Sequence, residues 1–163
     1  MTEGEWPAVA RIYAAGIDAG NATFEREVPS WDSWQAARSG LPCLVAKNGD
    51  GVVVGWAALT PASTRAVYGG VAAISIYVDP HNRREGVARE LLLALIAAAE
   101  HAGLWTLEAG IFPENVASVT LHERCGFRLV GVRRRVGQMA DGSWRDVLLY
   151  ERRSEVVGAE TDA

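Results

Sequence analysis

The chain is predicted to fold as a mixed α/β domain, an α+β sheet with helices on both faces. Three features predict it. The apolar run Ala73–Val78 breaks at Asp79-Pro80, continues through Arg83-Arg84-Glu85-Gly86-Val87-Ala88 and passes without a gap into Arg89-Glu90-Leu91-Leu92-Leu93. That is a strand, a basic glycine-containing loop and a helix. Asn48-Gly49-Asp50-Gly51 sits between two apolar runs and signals a hairpin. A second pair of runs, 127–135 and 144–151, is joined across Asp141-Gly142. Antiparallel hairpins combined with a strand–helix–strand unit make a sheet of mixed direction.

The elements follow in order. Trp6 to Gly20 has helical period, with Val9, Ile12, Tyr13 and Ile17 on one face and Pro7 in the first turn. Asn21–Glu25 is a loop. Ser30 or Asp32 caps a second helix running to about Ser39. Pro42–Lys47 and Val52–Leu59 are the strands of the first hairpin, and Thr60–Gly70 is irregular. The helix after Gly86 reaches about Ala102, where Gly103 suits a C-cap. Trp105–Ile111 is a strand, and Pro113-Glu114-Asn115 opens a short helix, Val116–Arg124, closed by Cys125-Gly126. From Ser154 the hydrophobic pattern ends and a disordered tail, 154–163, is expected.

Composition narrows the function class. At 163 residues, 49% hydrophobic and 22% charged, the chain is expected to be one globular domain, 1–153, with a substantial core. A net charge of −4 argues against general nucleic-acid binding. No apolar run approaches the ~20 residues of a membrane span. The opening Met1-Thr2-Glu3-Gly4-Glu5 lacks the pattern of a secretion signal, so a cytoplasmic enzyme or binding module is expected. Cys43 and Cys125 read as small buried hydrophobes, and His81, His101 and His122 show no metal-ligand spacing.

The loop at 83–89 carries the first chemical signal. A helix start offers unpaired N–H groups and partial positive charge, and arginines beside it strengthen a seat for pyrophosphate. Arg83-x-x-Gly86-x-Ala88 is a form of the Arg/Gln-x-x-Gly-x-Gly/Ala signature of the GNAT N-acetyltransferase superfamily. Asn115-x-x-Ser118-x-x-Leu121-His122-x-x-x-Gly126-Phe127 is similar to its second signature. Asn21–Glu25, Arg65-x-x-Tyr68-x-Gly70, Phe112–Asn115 and Trp144–Val147 resemble the phosphinothricin acetyltransferase family within it. The resemblance spans roughly Trp6 to Arg153.

That resemblance implies acetyl-CoA as co-substrate, no metal, and a small primary amine such as phosphinothricin, methionine sulfone or methionine sulfoximine as acceptor. It implies a mostly antiparallel sheet splayed between two parallel strands, and a homodimer without nucleic-acid or membrane partners. The pyrophosphate would lie on Arg83, Arg84, Glu85, Gly86, Val87, Ala88 and Arg89. Glycine at 86 lets the backbone come close. Pantetheine would add to the edge of Ile76, Tyr77 and Val78 like an extra strand, with Asn115 and Ser118 on its other side. Phe24, Glu25, Arg65 and Tyr68 would face the acceptor, and Arg65 would grip its carboxylate or phosphinate.

The chain departs from the family pattern in three places. The glutamate usual early in the cofactor-facing strand is Ala73 here, which cannot take a proton. Glu108 on the neighbouring strand, Glu25, or a water chain with no side-chain base remain as ways to deprotonate the amine. His122 stands where many superfamily members have a tyrosine, and it could protonate the leaving thiolate or simply pack in its helix. The short first strand usual in the family is apparently absent. Two further readings stay open: an acetyl-CoA-binding protein with weakened catalysis, or an acetyltransferase for a protein N-terminus, aminoglycoside or polyamine.

Overall fold

The structure is a computed structural model describing residues 1–38 and 40–159. Its elements are α1 (Trp6–Asp18), α2 (Trp31–Ala36), β1 (Cys43–Lys47), β2 (Val53–Pro61), β3 (Val71–Val78), α3 (Val87–His101), β4 (Thr106–Ile111), α4 (Val116–Arg124), β5 (Arg128–Gln138) and β6 (Trp144–Arg153), with short 3-10 turns at Glu3–Glu5, Ala66–Tyr68 and Pro80–Asn82. Most predicted boundaries hold within a few residues. The second helix ends earlier than expected, at Ala36, and Ser39 lies outside the described residues. Ser30 is its cap, accepting from the Ser33 N–H.

The six strands lie in the order β1-β2-β3-β4-β6-β5. Chain order would put β5 beside β4. Instead β6 pairs antiparallel with β4 through Thr106–Ile111, and β5 is left on the outside. Only β3 and β4 are parallel, and they pair through just Val71–Thr106, Ala72–Leu107 and Ala73–Glu108. β3 continues to Val78 while bonded to β2 alone. The sheet therefore splays beyond Ala73, and the β4-facing edge of Ile74–Val78 is unpaired.

Strand alternation distributes the core over two faces. On one face, Leu91, Leu92, Leu95 and Ile96 of α3 pack on Ala57, Leu59, Ala72, Leu107, Ala109, Ile111, Phe127 and Tyr150. On the other, Val9, Ile12 and Tyr13 of α1 and Trp34 of α2 pack on Trp56, Ala58 and Tyr77. Tyr77 stacks on Trp56 with ring centroids 4.8 Å apart. Helices on both faces match the expected architecture.

Among the described residues no strand precedes α1; the Met1 ammonium donates to the carbonyl of Cys43, the first residue of β1. The expected disorder from Ser154 is corrected as far as Gly158. Ser154 is buried, and its Oγ donates to Glu100 and accepts from the Val156 and Val157 N–H groups. The Arg153 guanidinium donates to the Val157 and Gly158 carbonyls. Residues 160–163 lie outside the described residues. No described helix is long and apolar enough to cross a membrane.

Candidate active site

The splay opens a cavity of about 450 Å³, within the range of small-molecule sites. Ile74–Tyr77 of β3 form one wall and Ala109–Ile111 of β4, with Phe112, the other. Asn115, Ser118 and His122 of α4 line one end. Ala22–Phe24 from the α1–α2 loop, with Arg133, Val136, Gly137 and Val147 from β5 and β6, complete it. A free strand edge along one wall has unpaired N–H and C=O groups, which a peptide-like ligand can satisfy.

The same edge leads to the basic loop. Asp79 ends β3 and is buried. Its carboxylate accepts from the His81 N–H and from Arg11 Nη1 at 2.6 Å, which hold its pKa down at about 2. Arg84 and Gly86 both have positive φ, 65° and 85°, so the chain turns through left-handed backbone just before α3. This turn delivers the free N–H groups of the first helical turn to one spot. Arg83, Arg84 and Arg89 are exposed and form no ion pair among the described residues. Glu85 accepts from the Asn82 side chain. The residues expected to seat a pyrophosphate are thus contiguous with the free edge.

Asn115 does more local work than expected. Its Oδ1 accepts from the Ser118 N–H, capping α4, while its Nδ2 donates to the Asn21 carbonyl at 3.0 Å. It pins the α1–α2 loop over the cavity. Arg145 reinforces that link, donating to the Gly20 carbonyl, Asn21 Oδ1 and Glu114 Oε2 from above the Phe112 ring. The pinned loop carries Phe24 into the cavity, where its ring meets Phe112 edge-on. A Cβ at Gly137 would come 2.4 Å from the Phe24 ring, so glycine there is what lets Phe24 lie flat across β5.

His122 is almost fully buried. Its Nδ1 lies 2.8 Å from the Ser118 carbonyl. A carbonyl can only accept, so Nδ1 carries the proton and Nε2 holds a lone pair. Nε2 is buried without a partner. Burial pushes the imidazole below its ordinary pKa. At neutral pH His122 is therefore an acceptor. To protonate a leaving thiolate, one of the two roles the sequence suggests for it, His122 would first have to take up a proton; its burial in α4 accords with the other, packing in its helix.

The carboxylates stand apart from the cavity. Glu108 is the direct neighbour of Ala73 in register, as expected, and faces Glu151 across β6. It does not line the cavity. Glu25 is exposed and does not line the cavity, although Ala22–Phe24 just before it do. Arg65 and Tyr68 are not brought to the cavity; the guanidinium lies 5.4 Å from the Tyr68 ring in an exposed loop. Arg133, Val136 and Gly137 were absent from the expected site. Val132-Arg133-Arg134-Arg135-Val136 has no alternation that would have marked Arg133 as the one facing a cavity.

Residues 6–127 match the model of the acetyltransferase (GNAT) family. The chain belongs to that family. It is 38% identical over 159 residues to a phosphinothricin N-acetyltransferase of Alcaligenes faecalis, covering 93% of this chain and 79% of that one. It is also 38% identical over 150 residues to an L-methionine sulfoximine/L-methionine sulfone acetyltransferase of Pseudomonas paraeruginosa, covering 89% and 87%. Among solved structures, a GNAT phosphinothricin acetyltransferase from Sinorhizobium meliloti in complex with AcCoA superposes with a TM-score of 0.83 at 27% identity, covering 99% of this chain and 94% of that one. A ribosomal-protein-alanine N-acetyltransferase from Brucella melitensis gives 0.88 at 31% identity, covering 94% and 97%. The chain is an N-acetyltransferase of the GNAT type, as its signatures implied.

Proposed function

We propose that this GNAT acetyltransferase moves the acetyl group of acetyl-CoA to the primary amine of a small amino-acid-like acceptor of the phosphinothricin or methionine sulfone kind. The observation that carries the reading is the free β3 edge, Ile74–Val78, opening into the cavity and running on to the left-handed turn at Arg84–Gly86. A pantetheine arm suits that edge and a pyrophosphate suits the start of α3. Acetyl-CoA supplies the thioester carbonyl that the amine attacks. The relatives at 38% identity favour the acceptor class.

The chain's own groups divide the work. N–H groups on the open β3 edge near Tyr77 would stabilise negative charge developing on the thioester oxygen. Among the described residues no carboxylate lines the cavity, whereas His122 does, its Nε2 buried and without a hydrogen-bond partner. His122 would take the amine's proton, directly or through water, and return it to the thiolate. Glu108 and Glu25 would act on the acceptor's ammonium only from the cavity's edge. A homodimer accords with β5, an outer strand that leaves Leu129, Val130 and Val132 about half exposed.

The test is thiol release from acetyl-CoA with phosphinothricin, methionine sulfone and methionine sulfoximine beside an alanine-ending peptide, an aminoglycoside and a polyamine. Turnover is expected on the first group. Turnover confined to the second group overturns the acceptor class. Tight CoA binding without any turnover supports the alternative motivated by Ala73, a binding protein with weakened catalysis. Profiles of kcat/KM against pH for His122→Gln, Glu108→Gln and Glu25→Gln then separate the bases; the acidic limb is expected to disappear in His122→Gln alone.

A further inference from the structure

Among the described residues, the cavity lining contains one charged side chain, Arg133. The other titratable groups there are uncharged near neutral pH. Burial keeps the Tyr77 phenol protonated and the His122 imidazole neutral. Arg133 has no ion-pair partner among the described residues. Arg128, at the start of the same strand, is by contrast spent on Glu151.

Backbone geometry accounts for its position. Arg133 pairs with Val147 and the next registered pair is Gly137 with Arg145, so β5 advances four residues while β6 advances two. The two extra residues form a bulge. It is fixed by the Arg135 N–H donating to Asp146 Oδ1 at 2.7 Å, with Arg135 at φ 46°. The bulge puts Arg133, Val136 and Gly137 together on the cavity wall. Leu148 and Tyr150 of β6 point to the α3 core, so Val147 and its partner Arg133 project from the opposite face. That face holds Phe24 and lies away from the α3 start. Arg133 is therefore on the acceptor side of the splay, far from the phosphate seat.

The geometry points to Arg133 as the specificity-determining residue for the acceptor: its guanidinium seats the acid group, carboxylate or phosphinate, of an amino-acid-like amine. This rests on the acceptor class proposed above. A planar guanidinium pairs such groups bidentately, and an unpaired one in a cavity loses little by exchanging water for them. The acid group held at Arg133 would leave the α-amine directed inward, towards Ala73 and His122. An amide or ester of the same acceptor would lose the pairing and keep everything else.

The experiment compares Arg133→Met, Arg133→Lys and Arg65→Met with the parent. Each is assayed on phosphinothricin, methionine sulfone and the carboxamide of the latter, with KM for acetyl-CoA as a control. Arg133→Met is expected to raise KM for the acids about tenfold or more, leave KM for acetyl-CoA unchanged and erase the acid-over-amide preference; Arg133→Lys is expected to restore part of it. An acid-over-amide preference unchanged in Arg133→Met but lost in Arg65→Met overturns the inference while leaving the proposed reaction intact. If the parent acetylates none of these amines, calorimetric titration of phosphinothricin into the CoA-loaded protein decides. Binding by the parent that is lost in Arg133→Met supports the assignment, and no binding by the parent overturns it.

Discussion

Replacing Ala73 with glutamate puts a carboxylate at the point where the splay begins, and its effects follow from the register. Ala73 lies directly beside Glu108 on β4, which lies directly opposite Glu151 on β6. Adjacent strands are about 4.8 Å apart, so two like charges there repel by about 1 kcal/mol at the dielectric of water and about 3 kcal/mol near a protein surface. Ala73 and Glu108 are both partly exposed, which favours the lower half, about 1–2 kcal/mol. The repulsion raises the introduced carboxyl's pKa by about one unit. It costs stability of the same size, a fall in Tm of about 2–8 °C for a chain of this length. A raised carboxylate beside the cavity is a better base than a free one, and a placed base is worth about 10²–10⁴ in rate. Because His122 already accepts protons, the gain in the parent background is expected to be about tenfold in kcat/KM at neutral pH. In the His122→Gln background it is expected to be larger. The assay is thiol release against pH for the four combinations, with thermal denaturation alongside. If Ala73→Glu lowers Tm as expected yet leaves kcat/KM unchanged in both backgrounds, the acceptor amine does not sit over Ala73 and the proton path drawn here is wrong.

Other outcomes follow from single features. Gly86→Ala places a Cβ where nothing lies within 4 Å, but at φ 85°; it is expected to cost about 1–2 kcal/mol of stability and to weaken CoA binding, read by calorimetry, more than it changes kcat. Gly137→Ala drives the Phe24 ring from its seat, and should raise KM for the amine with little effect on KM for acetyl-CoA. Asp79 titrates at about 2 against an ordinary 3.8. A depressed pKa stabilises the fold above the unfolded value, and that contribution disappears as pH falls from about 4 towards 2. Urea melts of the parent should show this loss and those of Asp79→Asn should not, the variant being less stable at neutral pH.

Much of the fold was legible because its signals are local. Asn48–Gly51 forms a hairpin wherever it occurs, and Val9, Ile12 and Tyr13 declare a buried helical face without reference to anything distant. The turn proposed to seat a phosphate was legible for the same reason: Arg83–Arg89 is one contiguous stretch, and its glycine is demanded by its own φ. The insertion of β6 between β4 and β5 was not legible, since Thr106–Ile111 pairs with residues about forty positions away and nothing local prefers Trp144–Arg153 to Arg128–Gln138 as the partner.

The acceptor half of the site follows the same division. His122 could be singled out in the sequence, and the spacing Ser118-x-x-x-His122 places an imidazole over a helical carbonyl one turn earlier. Its protonation state depends on burial under Phe127 and the cavity wall, which only the packed structure supplies. Arg133 was invisible because its position depends on a bulge, and the bulge depends on Asp146 reaching the Arg135 N–H across two strands. Arg65 had a motif to recommend it, yet its loop leaves it against Tyr68 in solvent. The turn proposed to seat the donor's pyrophosphate is built from consecutive residues, 83–89. The opposite wall of the cavity is assembled from the α1–α2 loop, β5 and β6 through Asn115, Arg145 and Asp146. Substitutions at Arg145 and Asp146 are therefore expected to change the cavity's shape while leaving the start of α3 untouched.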